Sequence, residues 1–382
     1  MQNKLICICL TLVFFIGGIS PSVNGQGLDL SARSAIILNC STGEIVYQKN
    51  AYEKRGMAST TKIMTSVIAL ENGNPDEEIV VRGVDVAVEG TSIGLKAGDS
   101  VSLDVLVKGM LLESGNDAAN VTAVHLGGSI EGFCVLMNKK AKELGMEDTS
   151  FSNPSGLTQE NHYSTAYDMA LLASYAIKNP QFCKIVSQKS ISVSYGSPSY
   201  DRVFSNHNRL LQMYEGAFGI KTGFTKASGR CLVSAVNRDG ALYVAVTLNA
   251  YDDWEDHCKM YDYAFESAKI VEVSFDESST EIPVVGSKKK SVRTKLSNSL
   301  SFWENSKTHY TVKVYHDKFL YSGVKKGDVV GSVAVVDVGG NVITQSNLVS
   351  CDDAPLNFTP LAQKPSLLDK LIKSIQEFIK GI

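Results

Sequence analysis

The sequence predicts an α+β fold: an antiparallel sheet flanked by helices, followed by a small all-β domain and a C-terminal amphipathic helix. Three observations support this prediction. Strand-like hairpins occur at residues 34–50 and 231–248, and the segment between them has mostly helical apolar spacing. Residues 270–360 hold only short β-type runs separated by turn residues. Strands from both ends of one segment can share an antiparallel sheet on which the helices pack.

Length and composition set the number and class of domains. The chain has 382 residues, which is more than one ordinary domain and favours two. Hydrophobic residues make up 44% and charged residues 20%, a balance typical of a globular protein. The formal net charge of −3 provides no overall field for nucleic acid, so a nucleic-acid partner is not expected.

The first residues resemble an export signal. Lys4 precedes the apolar run Leu5–Ile19, and Val23-Asn24-Gly25 offers small residues for cleavage before Gln26. The alternative is a retained anchor, but the run is short compared with the about 20 residues that a spanning helix needs. We therefore expect residues 1–25 to be a cleaved signal peptide, with the protein exported to the outer face of the cytoplasmic membrane and the cell envelope.

Six cysteines lie outside the predicted signal peptide. They are scattered without a C-x-x-C pair, which makes a zinc site unlikely, and neither a metal nor another cofactor is expected. Disulfides are possible outside the cell, and the sequence leaves their pairing open. Cys40, Cys231 and Cys258 lie in apolar segments, where buried free thiols are the simpler expectation.

The elements of residues 26–269, the predicted first domain, follow from local patterns. Residues 34–50 form a hairpin around the Ser41–Gly43 turn, and residues 59–72 form a helix that ends at Gly73. Apolar helices are predicted over 103–112 and 117–126, and a capping box at Thr165–Asp168 starts another that extends to Ile177. The Asn237–Gly240 turn joins two strands, and residues 254–269 form the last helix.

Residues 270–360 are predicted to form the all-β domain, and residues 361–382 a tail. Lys288-Lys289-Lys290 is interpreted as a solvated loop or an edge strand. From Pro365 to Ile382, leucines and isoleucines fall on one helical face and lysines largely on the other, which suits a helix lying in a membrane interface. The alternative is a helix docked on the β domain.

Three short motifs occur in an informative order. Ser59-Thr60-Thr61-Lys62 has the form S-x-x-K, Ser114-Gly115-Asn116 the form S-x-N, and Lys221-Thr222-Gly223 the form K-T-G. Each motif alone is weak, since serine and lysine three residues apart occur by chance on many helices. Together, in this order and at the boundaries of predicted elements, they indicate covalent catalysis by a serine.

The chemistry requires these residue types. A serine hydroxyl is a poor nucleophile until a base removes its proton, and on a helix Lys62 lies on the same side as Ser59. A free lysine titrates near 10.4, so burial beside Met57, Ile63 and Met64 and a neighbouring cation at Lys221 are expected to lower the pKa of Lys62.

The remaining motif residues are assigned to charge stabilisation and substrate binding. The backbone N–H of Ser59 and that of Phe224, which directly follows Gly223, would together form an oxyanion hole. Ser114 would pass the proton to the leaving amine, and Asn116 would hold a peptide bond through both its donor and its acceptor. Lys221 and Thr222 would bind a carboxylate, as a carboxypeptidase requires.

With these motifs, residues 35–268 resemble the serine-type D-Ala-D-Ala carboxypeptidases, the low-molecular-mass penicillin-binding proteins of peptidase family S11. The resemblance extends to Asn153-Pro154-Ser155-Gly156-Leu157 and to His207-Asn208-Arg209-Leu210-Leu211. It implies a DD-peptidase/β-lactamase-like fold and removal of the terminal D-Ala from peptidoglycan stem pentapeptides. It also implies an acyl-enzyme that β-lactams trap, with the all-β domain and the amphipathic tail as further shared features.

One departure and two alternatives accompany the resemblance. Some relatives carry an arginine after the last strand, where this chain has Tyr251-Asp252-Asp253-Trp254, so Arg230 is the candidate substitute. A β-lactamase-like hydrolase is one alternative, although Glu160-Asn161 lacks the E-x-x-L-N pattern of class A enzymes. The other is a non-catalytic protein that binds penicillin or peptidoglycan.

Overall fold

The structure is a computed structural model that describes residues 27–277, 280–306 and 308–357, together with positions 372 and 376. The predicted signal peptide lies outside the described residues, and so does the predicted tail except for those two positions. Among the described residues, no helix has the length and apolar character to cross a membrane.

Strands account for both sheet-forming parts of the chain. In chain order they are β1 (Ser34–Asn39), β2 (Ile45–Lys49), β3 (Glu78–Val80), β4 (Ser100–Ser102), β5 (Ser190–Gly196), β6 (Ser199–Ser205), β7 (Ala217–Thr225), β8 (Gly229–Arg238), β9 (Ala241–Ala250), β10 (Lys269–Glu272), β11 (Glu281–Val285), β12 (Ser291–Leu296), β13 (Ser301–Glu304), β14 (Tyr310–His316), β15 (Leu320–Tyr321), β16 (Val329–Asp337) and β17 (Val342–Ser350).

Helices fill the interval between β2 and β7 and follow β9. They are α1 (Lys62–Asn72), α2 (Leu103–Lys108), α3 (Asn116–Gly127), α4 (Ile130–Glu143), α5 (Ala166–Ala176), α6 (Pro180–Val186), α7 (Leu210–Met213) and α8 (Asp253–Ser267). Two irregular turns adjoin the site: a 3₁₀ turn at Ala58–Thr61 before α1, and a π-helical turn at Gly109–Glu113 after α2.

The catalytic part is a three-layer α+β structure. Its sheet has the strand order β2-β1-β9-β8-β7, all antiparallel, so that β7 is an edge strand. One face packs against α1–α6 in a large apolar core, and the other packs against α8 and residues 28–32. Strands from both ends of the segment therefore share one sheet, which confirms the predicted α+β class.

The C-terminal part is an all-β domain. A six-stranded sheet has the order β14-β16-β17-β12-β11-β15, and β10 pairs with β13 separately. Asn305 ties this domain to the catalytic part: its side chain accepts a hydrogen bond from Tyr243 Oη (2.8 Å) and donates one to the carbonyl of Ala264 (2.6 Å). Trp303 adds a hydrogen bond from Nε1 to the carbonyl of Asp239 (2.9 Å).

Most predicted elements are present with small boundary changes. The helix expected to begin at Ser59 begins at Lys62, because residues 59–61 belong to the 3₁₀ turn Ala58–Thr61. Thr165 caps α5 by accepting the N–H of Asp168, as the capping box predicted. Strands β11, β12 and β13, of four to six residues each, were not predicted, and neither were β3–β6 and β15. All six cysteines of the described residues are free thiols.

Candidate active site

The three motifs meet in one open cleft of about 390 Å³ between the helical layer and edge strand β7. Six of the eight predicted site residues line it: Ser59, Ser114, Asn116, Thr222, Gly223 and Phe224. Lys62 and Lys221 lie directly beneath the cleft surface, and no more than 1% of either residue is exposed to solvent. The other lining residues come from loops around the cleft: Gly90, Thr91, Ser155, Gly156, Leu157, His207, Thr225, Arg230, Asp253 and Trp254.

Ser59 lies in the 3₁₀ turn that leads into α1, and it is half-buried. Ala58 before it has a positive φ of 47°, a conformation that non-glycine residues seldom adopt and that costs on the order of 1 kcal/mol. Thr60 holds the turn by donating both its N–H (3.2 Å) and its hydroxyl (2.6 Å) to the carbonyl of Met57. The turn thus presents the Ser59 hydroxyl to the cleft while α1 continues into the core.

Lys62 has a hydrogen-bond environment suited to a neutral amine. Its Nζ donates to Asn116 Oδ1 and to the carbonyl of Ser155, both at 2.6 Å, and lies 3.1 Å from Ser59 Oγ. The two carbonyl oxygens can only accept, so they occupy two N–H groups. In the neutral amine, the remaining direction holds the lone pair, which faces the serine hydroxyl.

The electrostatics favour that neutral form. Burial of Lys62 is the main cause that lowers its pKa well below the ordinary lysine value, and the positive charge of Lys221 lowers it further. The buried carboxylate of Asp117 acts in the opposite direction. Burial also lowers the pKa of Lys221, to about 7, while the carboxylate of Glu113 opposes the shift.

Ser114 and Asn116 are held by the loop that forms the opposite wall. Ser114 ends the π-helical turn with a positive φ of 63°, and its carbonyl accepts the Thr91 hydroxyl at 2.6 Å. The Asn116 amide donates to the carbonyl of Glu89 at 2.6 Å, which fixes its Oδ1 toward Lys62.

Asp117 is a site-shaping residue that sequence reasoning missed. Its fully buried carboxylate accepts the N–H groups of Ile93 and Leu95, both at 3.0 Å, and the hydroxyl of Ser92 at 2.7 Å. It therefore fastens the 89–95 loop to the start of α3. Its position directly after the S-x-N motif was the available signal.

The Asn153–Leu157 stretch forms the cleft floor. Asn153 Oδ1 accepts the N–H of Gly156 at 2.7 Å, and Asn153 Nδ2 donates to the carbonyl of Leu157 at 2.8 Å. This turn aims the Ser155 carbonyl at Lys62. Gly156 has φ +92°, and a Cβ there would lie 1.9 Å from the Ala58 carbonyl oxygen, so only glycine fits.

Edge strand β7 approaches the nucleophile through Gly223. A Cβ at this position would lie 3.0 Å from the Ser59 backbone nitrogen and 3.1 Å from that of Thr60. The backbone after Gly223 therefore lies against the turn that carries Ser59. This close approach is compatible with the predicted pairing of the Ser59 and Phe224 N–H groups as donors to a developing oxyanion.

Beyond Phe224, the cleft wall contains one exposed cation. Arg230 is the cross-strand partner of Phe224, and its Nε and Nη2 donate to Asp253 Oδ1 at 2.9 and 2.6 Å. Its guanidinium lies 5.6 Å from the ring centre of Trp254. Burial raises the pKa of Asp253, while the bonds from Arg230 lower it. The acidic stretch after β9 thus positions Arg230 at the cleft.

Two histidines adjoin the site in different ways. His162 is buried behind α1, with Nε2 2.8 Å from Thr61 Oγ1 and Nδ1 accepting the N–H of Ser152 at 3.1 Å. Burial and the charge of Lys62 lower the pKa of His162 to about 4. His207 lines the cleft, with its Nε2 3.5 Å from Glu113.

These two histidines do not form a metal site. Among the described residues, no group of three or more His, Cys, Asp or Glu side chains is arranged to hold a metal ion.

The fold and the site together define the class: a DD-peptidase-like α+β domain in which a serine and a buried lysine share one cleft. Two family models match the chain. Residues 21–252 match the S11 peptidase model for D-alanyl-D-alanine carboxypeptidase, and residues 265–355 match the C-terminal domain of penicillin-binding protein 5. The chain therefore belongs to the S11 family of D-alanyl-D-alanine carboxypeptidases.

Individual proteins agree with this assignment. The D-alanyl-D-alanine carboxypeptidase DacF of Bacillus subtilis is 38% identical over 61% of this chain and 62% of its own length, so the match spans less than two thirds of that relative. DacC of Escherichia coli is 34% identical over 59% of this chain and 58% of its own length.

Solved structures show the same fold. The Streptomyces K15 DD-transpeptidase has a TM-score of 0.60 and 30% identity, covering 63% of this chain and 100% of its own. The carboxypeptidase DacD of Francisella tularensis has a TM-score of 0.61 and 26% identity, covering 86% of this chain and 95% of its own. The likeness to DacD extends over both the catalytic part and the all-β domain.

Proposed function

We propose that this protein is a serine-type D-alanyl-D-alanine carboxypeptidase that removes the terminal D-Ala from peptidoglycan stem pentapeptides. The observation that carries the proposal is the set of contacts around Lys62. Two carbonyl oxygens at 2.6 Å and the Ser59 hydroxyl at 3.1 Å surround a buried amine whose pKa is lowered by burial. Such an amine can accept the proton of Ser59 at neutral pH.

The reaction follows from these positions. Ser59 Oγ bonds to the carbonyl carbon of the penultimate D-Ala while its proton passes to Lys62 Nζ. The negative oxygen is stabilised by the N–H groups of Ser59 and Phe224. The C–N bond then breaks, and the leaving amine of D-Ala takes a proton that Lys62 returns through Ser114. Water hydrolyses the acyl-enzyme by the same proton path, and β-lactams react with the same serine as covalent inhibitors.

Substrate binding is assigned to the two walls of the cleft. Asn116 holds the peptide backbone from one wall, and β7 runs along the other as an unpaired edge. The terminal carboxylate of the substrate is received by the Thr222 hydroxyl and by Arg230, because Lys221 is buried and donates to the Thr222 carbonyl at 3.0 Å. Lys221 acts through its charge on Lys62 and on the developing oxyanion.

No observation favours a β-lactamase instead. A class A β-lactamase needs a glutamate that activates the deacylating water. Glu160 is exposed in a turn, and it is absent from the described residues that line the cleft. Asp253 is the one carboxylate among those lining residues, and it already accepts hydrogen bonds from Arg230. Rapid deacylation of penicillin is therefore not expected.

Intact-mass measurement with a D-Ala-D-Ala peptide and with penicillin tests the proposal. We expect release of D-Ala and a stable penicillin adduct with the native chain and with Ser187→Ala, which changes an exposed serine at the end of α6. Ser59→Ala should show neither. Turnover of penicillin many times per second without release of D-Ala would contradict the proposal, and so would the absence of any adduct on the native chain.

The membrane association and the cellular location belong to the same proposal. We infer that residues 365–382 lie in the interface of an anionic membrane, which holds the exported enzyme at the outer face of the cytoplasmic membrane. The supporting pattern is a stripe of leucine and isoleucine opposite lysines. Deletion of Pro365–Ile382 should release an enzyme that retains its carboxypeptidase activity. Binding of the shortened chain to membranes as strong as that of the full chain would contradict the inference.

A further inference from the structure

The all-β domain has two ends of different character. Ile343 and Thr344, at the start of β17, line a small cavity at the junction with the catalytic part. Strands β14, β16 and β17 run from that junction to the opposite end, where Val329 pairs with Val349 and Gly331 with His316. We call this opposite end the distal end; it comprises residues 286–293, 317–328 and 350–357.

Three separate chain segments are held together at the distal end. The Ser322 N–H donates to the carbonyl of Val285 at 2.8 Å, which joins the 317–328 segment to the β11–β12 turn. The Asn357 N–H donates to the carbonyl of Gly286 at 2.9 Å. Ala354 and Val324 pair through a β-bridge. Asn357, the last described residue of the domain, therefore lies directly beside the other two segments.

Apolar side chains on this surface are exposed. Tyr321 is 74% and Phe319 is 43% exposed, and their rings pack edge to face at 5.5 Å. Leu356, next to Asn357, is 63% exposed. Val285, which pairs with Tyr321, is 51% exposed. Aromatic rings of this kind are typical of surfaces at the level of lipid headgroups.

The same surface is basic in a chain that is acidic overall. The distal end carries seven lysine and arginine side chains against four carboxylates, whereas the whole chain has a net charge of −3. Asp352 binds Lys289 (2.8 Å) and Arg293 (2.9 Å), which uses two of the cations. The other lysines of the distal end are exposed and, within the described residues, form no salt bridge: Lys288, Lys290, Lys318, Lys325 and Lys326.

The remaining acidic groups do not cancel this charge. Asp328 accepts the backbone N–H of Lys325, and Asp353 accepts that of Lys326, both at 2.8 Å, so these carboxylates fix turns rather than pair with lysine side chains. Asp317 is the fourth carboxylate. Exposed rings surrounded by unpaired lysines fit the interface of an anionic bilayer.

We propose that the distal end of the all-β domain binds the surface of an anionic lipid bilayer directly, with Phe319 and Tyr321 at headgroup depth and the five unpaired lysines facing lipid phosphates. The inference rests on the proposed membrane association of residues 365–382, because Asn357, the last described residue before that segment, lies within this surface. The distal end is then a second contact, independent in sequence from the tail.

Hydrogen–deuterium exchange of the full chain with vesicles tests the proposal. Vesicles of phosphatidylcholine and phosphatidylglycerol in a 7:3 ratio should slow exchange in peptides covering 286–290 and 317–326, and phosphatidylcholine vesicles alone should have little effect. The hairpin tip at residues 197–200 of the catalytic part is the internal control. Poly(glycerol phosphate) in place of vesicles is the third arm, and equal protection by this soluble polymer would overturn the assignment to lipid.

A variant measures the contribution of the rings. F319S/Y321S in the full chain should weaken partitioning onto the anionic vesicles by at least about threefold. V338S/V342S, which removes exposed valines at the junction end, should leave partitioning unchanged.

The outcomes separate this inference from the tail proposal. Protection of the tail alone would overturn the inference and leave the tail proposal standing. Protection of the distal end alone would support the inference and contradict the tail proposal. Exchange unchanged in both segments would overturn both, and equal partitioning of the ring variant and its control would overturn the role of the rings.

Discussion

The catalytic cleft and the distal end of the all-β domain use lysine in opposite ways. In the cleft, Lys62 and Lys221 are buried, and burial lowers the pKa of each, so their protonation is part of the chemistry. At the distal end, lysines such as Lys288 and Lys318 are exposed to solvent and are proposed to face lipid. The surroundings of a lysine, rather than its identity, therefore decide whether it can act as a base or as a binding cation.

The largest expected effect comes from preventing the buried amine from becoming neutral. Lys62→Arg places a permanent positive charge where the native chain has a neutral amine, because a guanidinium cannot lose its proton in a protein. We expect the rate of acylation by fluorescent penicillin to fall about 10²–10⁴-fold, the contribution of a general base. Lys142→Arg, on the exposed side of α4, should acylate at the native rate. Acylation of Lys62→Arg within tenfold of native would refute the assignment of the base.

A smaller effect is expected from moving the edge strand away from the nucleophile. In Gly223→Ala, the new Cβ would lie 3.0 Å from the Ser59 nitrogen, so β7 must shift and one oxyanion donor moves with it. Loss of such a donor should reduce kcat about 10²-fold. Gly83→Ala is the matched control, because a Cβ there meets only Ala97 at an ordinary 3.5 Å. A native kcat in Gly223→Ala would argue against the oxyanion hole.

Arg230 lies between the two kinds of cation, since it is partly exposed and held by a buried carboxylate. Arg230→Gln should raise KM for a D-Ala-D-Ala peptide about tenfold, with a smaller change in kcat, because a charge-assisted bond to the substrate carboxylate is lost. Penicillin acylation and peptide hydrolysis should be measured on the same preparation. An unchanged KM would contradict the role of Arg230 and would indicate that Thr222 alone binds the terminal carboxylate of the substrate.

The smallest effect concerns stability and pH, and it compares a buried with an exposed histidine. The pKa of His162 is lowered to about 4, so the unfolded chain binds this proton first as pH falls. The contribution of His162 to the free energy of unfolding should therefore be constant above pH 6.5. It should decrease by on the order of 3 kcal/mol as pH falls to 4.

Urea denaturation between pH 7 and pH 4 measures this dependence. His162→Gln keeps a donor for Thr61 and an acceptor for Ser152, and it should flatten the curve. His316→Gln, at an exposed position of β14, should not. Parallel curves for the native chain and His162→Gln would contradict the account of His162.

The sequence predicted the two regions unequally, for a physical reason. Covalent chemistry needs particular residue types at fixed spacings, so Ser59, Lys62, Asn116 and Gly223 could be named as candidates from short motifs, and the fold brings them together. Asp117 and His162 were missed because they act by holding a loop and a helix that only the fold brings near them. The buried position of Lys221 was also not predicted, since a lysine on an edge strand is usually solvated.

The distal end has no comparable linear signal. Its three segments, 286–293, 317–328 and 350–357, are far apart in the chain and adjoin only through β11, β15 and the Val324–Ala354 bridge. The lysine run at 288–290 was interpreted as a solvated loop, which agrees with its exposure but did not reveal its neighbours. Strands β11–β13 were missed for a related reason, because pairing with distant strands decides their state.

The proposed role of Lys62 as the base depends most directly on its pKa. Carbon-13 labelling at the ε position of lysine allows each amine to be titrated by NMR in the native chain, with the Lys62 signal assigned by its absence in Lys62→Arg and the Lys221 signal by its absence in Lys221→Arg. If Lys62 is the base, its signal should be that of a neutral amine at pH 7 and should titrate far below the ordinary lysine value. A Lys62 signal that titrates near pH 10.4, the ordinary lysine value, would show that Lys62 is not the base.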